Sequence, residues 1–353
     1  MNILLCGASG FVGRNIRAAL ESKGHTVIGA SSRVNTHNQI AVDYSADTAA
    51  DVWLPRLAGI DAVINAVGVL RNTRRRPIDA VHALTPMALF DACAAAKVRR
   101  VIQISALGIG KSDADNPTRY ASTKRAADAH LLALHAAGKV KATVLRPSIV
   151  FGKGGASSQL FAMLSKMPLL VLPKPVLTAQ VQPIAVQDLA RGVAVLVDQW
   201  DADPMLECVG ETALSLAAFI ASLRAQQGCK PARVLALPQW MTTASVKLGD
   251  HIPVAPWCTE TLALLATRRA SARYSLAVDG DGWVDILLVN GADWPGHATA
   301  KSYPALYRNN HDGTFTDVSV PSGIRAHVGK GMGIGVADFD DDGGYMWERW
   351  WMA

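Results

Sequence analysis

Long apolar runs, paired cysteines and charged residues are all scarce in this sequence. No apolar run reaches the roughly 18 residues that a membrane helix needs, and the stretch PLLVLPKPVL is interrupted by prolines and a lysine. The five cysteines show no CxxC spacing, which argues against a disulfide framework or a zinc site and predicts reduced thiols in a cytoplasmic protein. The N-terminus lacks the basic and apolar regions of a secretory signal, and the histidines lack metal-ligand spacing.

The composition indicates a folded protein of more than one domain. The chain has 353 residues, of which 50% are hydrophobic and 18% are charged, so a large core can form. The net charge of +6 suits an anionic ligand, and a nucleotide fits that as well as nucleic acid does. Apart from Arg71 and the run Arg74–Arg76, typical of a solvated loop, the basic residues are scattered. We therefore expect no nucleic-acid partner.

The first part of the chain alternates short apolar runs with helical segments. The predicted strands are Asn2–Cys6, Thr26–Ala30, Ala62–Asn65, Val101–Ser105 and Thr143–Leu145, and the predicted helices lie near 12–23, 48–58, 79–97 and 118–137. This pattern predicts an α/β fold in which residues 1–150 form a doubly wound, parallel-sheet Rossmann domain. Residues 151–270, rich in proline with helices near 187–199, 214–227 and 259–267, are predicted to form a small substrate lobe.

Three glycines separate the first predicted strand from the first helix. Gly7, Gly10 and Gly13 are spaced three apart in LLCGASGFVGRNI. Gly7 allows a tight turn, Gly10 lets a phosphate approach the helix N-terminus, and Gly13 lets the helix pack closely on the strand. Because the triplet follows a strand and opens a helix, it predicts dinucleotide binding.

The glycine spacing and several later segments resemble the extended and atypical short-chain dehydrogenase/reductases over roughly residues 1–265. The matching segments are AVD at 41–43, NAVG at 65–68, ISA at 104–106, YASTK at 120–124, RPSIVFG at 146–152 and QPIAVQDLA at 182–190. Within that group, the segments SALGI and LPQW…LGD resemble the nucleotide-binding accessory subunit of respiratory complex I and its bacterial relatives. Glycine loop and resemblance together predict cofactor contacts at Gly7, Ser9, Gly10, Phe11, Val12, Gly13, Arg14, Ser31, Ser32, Arg33, Asp43, Asn65, Ala66, Gly68, Tyr120, Lys124, Arg146, Pro147 and Ile149.

The end of the second strand bears on the choice of cofactor. NAD sites usually place an acidic residue there to bind the ribose 2′-hydroxyl, but IGASSRV contains none. Ser31, Ser32 and Arg33 suit a 2′-phosphate, and Arg14 can add to them. The sequence therefore predicts NADP(H) in preference to NAD(H), the alternative being a basic surface loop.

Three residues are predicted to carry catalysis. Tyr120 and Lys124 lie four apart, hence on one face of a helix, and an ammonium beside a phenol stabilises the phenolate. Tyr120 can then exchange a proton with a substrate oxygen that Ser105 also binds. The alternative is that Tyr120 and Lys124 only hold the nicotinamide ribose.

The segment 274–353 is rich in Asp, Gly and Asn and resembles FG-GAP repeats of calcium-binding β-propellers. The resemblance implies a β-type tail that holds fewer than two repeat units, and Ca²⁺ ligands at Asp279, Asp281, Asp285, Asp338, Asp340 and Asp342. Ala277 and Met346 stand where that family has Asp, so the alternative is an acidic appendage without useful affinity. The few repeat units suggest a fusion or a joined reading frame.

Three functions remain open. The chain is an NADP(H)-dependent oxidoreductase acting on a small carbonyl or hydroxyl compound, a non-catalytic nucleotide-binding assembly factor with a protein partner, or a nucleotide-sugar epimerase or dehydratase.

Overall fold

The computed structural model describes residues 1–242 except 33, 35–37, 71, 111, 201, 211–212 and 239–240, and beyond them only the backbone of short strands. The chain divides into two compact units. The first comprises Met1–Glu207 and Leu214–Arg269, and the second comprises Cys208–Ala213 and Ala270–Ala353.

The first unit is built from short strands and helices in alternation. Its strands are β1 Asn2–Cys6, β2 Thr26–Ser31, β3 Gln39–Ala41, β4 Ala62–Asn65, β5 Arg100–Ile104, β6 Lys141–Pro147, β7 Val150–Phe151, β8 Leu169–Pro173, β9 Gln180–Val181, β10 Ile184–Ala185, β11 Met205–Cys208, β12 Leu214–Ser215 and β13 Arg233–Leu237. Its helices are α1 Phe11–Ser22, α2 Ala50–Trp53, α3 Thr85–Ala95, α4 Arg119–Ala136, α5 Ala156–Lys166, α6 Lys174–Thr178, α7 Val186–Leu196 and α8 Leu216–Gln226, with a 3-10 turn at Leu54–Leu57 and a π turn at Ala80–Leu84.

Seven strands form the central sheet, in the order β11-β6-β5-β4-β1-β2-β3. The pairings among β1 to β6 are parallel, with Leu4 opposite both Ile28 and Val63. The inner strands are mostly apolar and almost wholly buried because helices cover both faces of a parallel sheet. This order is that of the doubly wound dinucleotide-binding fold, so the predicted α/β class is confirmed.

The predicted elements differ from the observed ones mainly at their ends. The helix predicted near 48–58 is a single turn of α-helix followed by a 3-10 turn that contains Pro55. The helix predicted near 79–97 opens with the π turn, since Pro86 cannot donate to the carbonyl of His82 and its ring would crowd that carbonyl in a regular α-helix. Helix α4 begins where Thr118 caps it, accepting a 3.2 Å bond from the Ala121 N–H.

A smaller lobe follows the sheet. Strands β8 and β13 pair in parallel, and α5 and α8 pack together around apolar side chains of this lobe. Phe219 lies at its centre, with Phe151 and Phe161 edge-on at ring-centroid distances of 5.4 and 5.6 Å. The part of the chain that the structure describes contains no helix long and apolar enough to cross a membrane.

The described backbone of the second unit is β-type. Strands β14 Ala277–Val278, β15 Val284–Leu288, β16 Ala305–Asn309 and β17 Phe315–Asp317 form an antiparallel sheet, and β18 Gly335–Ala337 pairs with β19 Met346–Glu348. The predicted helix near 259–267 lies outside the described residues.

Candidate functional site

The loop between β1 and α1 is shaped by its glycines. Gly7 has a φ of +82°, where glycine is favoured, and a Cβ there would lie 3.0 Å from the backbone of Ala66. A Cβ on Gly13 would lie 2.1 Å from the carbonyl oxygen of Gly7. Helix α1 can therefore pack this closely against the loop only because residue 13 has no side chain. Gly10 caps α1 without a side-chain hydrogen bond, and Ser9 beside it is exposed. A phosphate can therefore occupy the capping place.

The other predicted cofactor contacts follow the ends of neighbouring parallel strands. Ser31 ends β2, Asn65 ends β4 and Pro147 ends β6. The carboxyl ends of these strands lie at one edge of the sheet, together with the glycine loop. The order of the strands reverses between β1 and β4, which is the place where open α/β sheets bind ligands.

The first turn of α1 meets the segment that follows β6. The ring of Phe11 would lie 2.9 Å from a Cβ on Gly155, so this ring packs directly against the backbone of Gly155. Val12 and Ile149 are half-buried, whereas Arg14 is exposed. An exposed guanidinium in the first helical turn is available to an anionic ligand.

The side chain of Asn65 is buried and fully engaged. Its Oδ1 accepts hydrogen bonds from the Tyr44 hydroxyl at 2.9 Å and from the Val67 N–H at 3.2 Å. Its Nδ2 donates to Gln103 at 2.8 Å. Asn65 thus ties the ends of β4 and β5 to the segment after β4, and shapes the site through the backbone.

The residues predicted to bind the adenosine end lie at the end of β2 and after β3. Asp43 is exposed, and its carboxylate accepts 2.8 and 2.5 Å bonds from the N–H and hydroxyl of Ser45. These bonds hold the pKa of Asp43 below its usual value. Ser31 is half-buried and Ser32 is exposed, while Arg33 lies outside the described residues.

Helix α4 carries Tyr120 and Lys124 one turn apart, both buried. The Lys124 ammonium donates a 3.1 Å bond to the carbonyl of Ile104, the last residue of β5. Burial lowers the pKa of Lys124 to about 8. A Cβ on Gly68, which is exposed in the segment after β4, would lie 3.7 Å from Lys124 Nζ. The ammonium therefore lies between the ends of β4 and β5.

Ser105, the third predicted catalytic residue, bonds to a residue that the sequence did not single out. Its hydroxyl donates a 2.8 Å bond to Oδ2 of Asp128, which is buried on α4. The same oxygen accepts from Arg146 Nε at 3.2 Å and Nη2 at 3.0 Å. Burial raises the pKa of Asp128, and the Arg146 charge opposes that rise. The Ser105 hydroxyl thus donates to Asp128, and toward a substrate its oxygen can act only as an acceptor.

His82 is a second residue that sequence reasoning missed. Its ring meets that of Tyr120 edge-to-face, with centroids 5.1 Å apart and planes at 88°. Its Nε2 accepts a 2.9 Å bond from the Val69 N–H. The signal in the sequence is weak because His82 belongs to no motif, and only the fold brings it to Tyr120.

The predicted Ca²⁺ ligands lie almost wholly beyond what the structure describes. The backbone of Asp285 belongs to β15, whereas the others lie outside the described residues: Asp279, Asp281, Asp338, Asp340 and Asp342. Within residues 1–242, as far as they are described, no three His, Cys, Asp or Glu side chains cluster as a metal site would require.

The sheet order and the glycine loop define a dinucleotide-binding protein of the Rossmann class. Residues 3–207 match the NAD dependent epimerase/dehydratase family, which is more than half of the chain, and the protein belongs to that family. Residues 278–344 match an FG-GAP-like repeat. No curated protein matches the chain. The narrower resemblance to the complex I subunit stays a prediction.

Three solved structures illustrate the similarity of the fold to known enzymes. UDP-N-acetylglucosamine 4-epimerase from Bacillus cereus is 15% identical, with a TM-score of 0.55, 77% of this chain and 98% of that chain covered. MoeE5 in complex with UDP-glucose and NAD is 22% identical, with a TM-score of 0.54; the match covers 67% of this chain and 85% of that chain. DesIV, a dTDP-glucose 4,6-dehydratase from Streptomyces venezuelae with NAD bound, is 18% identical, with a TM-score of 0.54; the match covers 68% of this chain and 85% of that chain. At these identities the likeness is one of fold.

Proposed function

We propose that this protein is a nicotinamide-dependent epimerase or dehydratase of a nucleotide sugar, and that Tyr120 exchanges the proton of the sugar hydroxyl. The observation that carries the proposal is the placement of Tyr120 and Lys124 on one buried face of α4, with Lys124 bonded to the end of β5. The names of the similar structures, which include UDP- and dTDP-sugar enzymes, favour this substrate class over a small free carbonyl compound.

The residues at the sheet edge fit a dinucleotide. Side chains at Gly7 and Gly13 would collide with backbone at 3.0 and 2.1 Å, so this loop can receive a pyrophosphate at close range. When bound, the nicotinamide accepts or returns a hydride. The protein's part is to hold the dinucleotide at this edge and to move one proton at the phenolic oxygen of Tyr120.

Lys124 makes the phenolic oxygen a usable base. A protonated ammonium one helical turn away stabilises a phenolate and lowers its pKa. In the oxidation of a secondary alcohol, the hydroxyl proton goes to Tyr120 while the carbon loses a hydride. In the reverse direction Tyr120 returns that proton to the carbonyl oxygen. Oxidation to a ketone of this kind is the step that epimerases and dehydratases of sugars share.

NADP(H) is the proposed cofactor, although MoeE5 and DesIV, two of the neighbours named above, were solved with NAD. The supporting feature is the end of β2, where Ser31 and Ser32 offer hydroxyls and no carboxylate stands between residues 28 and 34. A carboxylate there would repel a 2′-phosphate, and its absence favours NADP(H).

A non-catalytic dinucleotide-binding protein is the second candidate. The observation in its favour is the hydrogen bond from Ser105 to Asp128. A serine hydroxyl that donates its hydrogen bond to a buried carboxylate does not donate one to a substrate carbonyl. Such a protein would bind the dinucleotide and serve a protein partner.

Comparing the turnover of the parent protein with that of Tyr120→Phe, which lacks the phenolic hydroxyl, separates the two candidate functions. The purified chain is incubated with UDP- and dTDP-sugars and with NAD⁺ or NADP⁺, and products are separated by anion-exchange chromatography. Tyr120→Phe should abolish turnover and leave the dinucleotide Kd nearly unchanged. The same change at Tyr307, in the FG-GAP-like segment, is the control. Dinucleotide binding without turnover on any sugar nucleotide would favour the second candidate.

A further inference from the structure

His82 is a buried polar residue that the proposed proton transfer does not use. It lies in the π turn Ala80–Leu84 that precedes α3, and its side chain is almost wholly inaccessible to solvent. Turns of this type are rare and are frequently found at functional sites. The π turn itself follows from Pro86 and places no demand on the side chain of residue 82, and an apolar side chain would suit burial there, so the presence of an imidazole needs a reason.

Both ring nitrogens of His82 have a partner. Since Nε2 accepts the 2.9 Å bond from the Val69 N–H, the ring proton is on Nδ1. Nδ1 faces the hydroxyl of Thr123 at 3.4 Å, and that hydroxyl donates in turn to the Arg119 carbonyl at 2.7 Å. His82 therefore joins the segment after β4 to the first turns of α4.

These two partners flank the proposed catalytic pair. Val69 follows Gly68, and a Cβ on Gly68 would lie 3.7 Å from Lys124 Nζ and 3.8 Å from His82 Nε2. On the other side, the His82 ring stands edge-to-face with the ring of Tyr120, a geometry that aromatic pairs prefer. One imidazole thus contacts both the predicted cofactor-lining segment and the proposed base.

We propose that His82 is a positioning residue, whose Nε2 holds the cofactor-lining segment at Val69 while its ring fixes the orientation of Tyr120. This inference rests on the proposed function of Tyr120. Burial, together with the charge of Lys124, lowers the pKa of His82 to about 2, so the ring stays neutral and its Nε2 lone pair remains an acceptor.

Two substitutions separate the two contacts. His82→Phe keeps a ring against Tyr120 and removes the acceptor for the Val69 N–H, while His82→Gln keeps an acceptor near the Nε2 position and removes the ring. His135→Phe is the matched control, because His135 Nδ1 also accepts a backbone N–H, that of Ala142, at 3.0 Å. All variants are made in the full-length chain.

Two measurements report on the two contacts. The Kd values of NADPH and NADH are measured by nicotinamide fluorescence. The Tyr120 environment is measured by fluorine NMR of protein containing 3-fluorotyrosine, with the Tyr120 signal assigned by its loss in Tyr120→Phe. Neither measurement requires the sugar substrate to be known.

His82→Phe should weaken binding of the dinucleotide that the parent prefers about tenfold, because the partly buried Val69 N–H loses its acceptor and the segment is destabilised. His82→Gln should leave that Kd within about twofold and move the Tyr120 fluorine signal. The proposal is overturned if both variants behave like His135→Phe, with Kd and fluorine signal unchanged. If His82→Phe does not fold, His82→Gln decides alone: the proposal then requires the Tyr120 fluorine signal to move while the dinucleotide Kd stays within about twofold, and an unmoved signal overturns it.

Failure of the proposed function gives a different result. If the parent protein binds neither dinucleotide, the proposed function is wrong, and the fluorine signal still decides whether His82 orients Tyr120. If the parent protein binds a dinucleotide and Tyr120→Phe retains turnover, the catalytic role of Tyr120 is wrong, and the Kd of His82→Phe still tests the contact to Val69.

Discussion

The hydroxyl of Ser105 donates a 2.8 Å hydrogen bond to the buried carboxylate of Asp128. Asp128 also receives two bonds from Arg146, whose side chain is only 14% exposed. Ser105 follows β5 and Arg146 belongs to β6, so one carboxylate on α4 links the ends of two strands at the proposed active edge.

Asp128→Ala should lower the free energy of unfolding by about 3–5 kcal/mol, because it leaves the Arg146 guanidinium buried without its partner. The double variant Asp128→Leu with Arg146→Met should recover most of that loss. Urea denaturation followed by circular dichroism measures both. Equal losses in the single and double variants would show that the ion pair is not what Asp128 contributes.

Lys124 should make the free energy of unfolding depend on pH in the alkaline range. Its pKa is about 8 in the folded protein, below the ordinary 10.5, because of burial. Between these values the unfolded chain binds a proton that the folded chain lacks, so this residue makes the unfolding free energy rise with pH. Lys124→Met should flatten that rise, increase stability at pH 7 by up to about 3 kcal/mol and abolish turnover. Urea denaturation midpoints of the parent and of Lys124→Met, measured from pH 7 to 10.5, test this prediction. A variant whose stability rises with pH as steeply as that of the parent would contradict it.

NADPH should bind more tightly than NADH, and Arg33→Ala should narrow the difference by about 1–3 kcal/mol, the contribution of one charged hydrogen bond. Calorimetry with both dinucleotides measures the difference. Arg233→Ala, at the start of β13, is the control and should change neither affinity. Equal or tighter binding of NADH by the parent protein would rule out the predicted preference.

Gly13→Ala should weaken dinucleotide binding and destabilise the protein by about 1–3 kcal/mol, because its Cβ would lie 2.1 Å from the Gly7 carbonyl. Gly192→Ala is the matched control within α7, where a Cβ has no atom within 4 Å, and it should stabilise the protein by about 0.5–1 kcal/mol. Thermal melting with and without NADPH compares them. A Gly13→Ala protein that melts and binds like the parent would mean that the loop is not closely packed.

Removal of residues 274–353 should leave the NADPH-induced rise in melting temperature intact, because the glycine loop and the residues around Tyr120 all precede the cut. Millimolar Ca²⁺ should change the melting temperature of the full-length protein little, since each Asp-rich loop lacks one ligand that FG-GAP loops carry. Loss of the NADPH effect on truncation would show that the segment completes the cofactor domain. A large Ca²⁺ effect that chelator reverses would show a true metal site.

The order of the five inner and neighbouring strands β1, β2, β4, β5 and β6 could be predicted because it depends on local pattern, but the sequence does not predict the short edge strands β3 and β11. Strands β1 and β4 begin and end at the predicted residues, and β5 and α1 differ by one residue at each end. Strand β6 is longer than predicted: it runs from Lys141, which pairs with Arg100 of β5, to Pro147, two residues beyond the predicted apolar centre. The family match over residues 3–207 agrees with a glycine loop that could be identified from three residues and their context.

The sequence by itself determined the α/β class, the glycine loop and the spacing of Tyr120 and Lys124, because strand, turn and helix patterns depend on residues close together in the chain. Only the tertiary structure decided which side chains meet at the sheet edge. His82 reaches Tyr120, and Asp128 reaches Ser105, across more than twenty residues of intervening chain. Such pairs follow from how helices pack on a sheet and from the need of buried polar groups for partners, and neither condition leaves a local pattern.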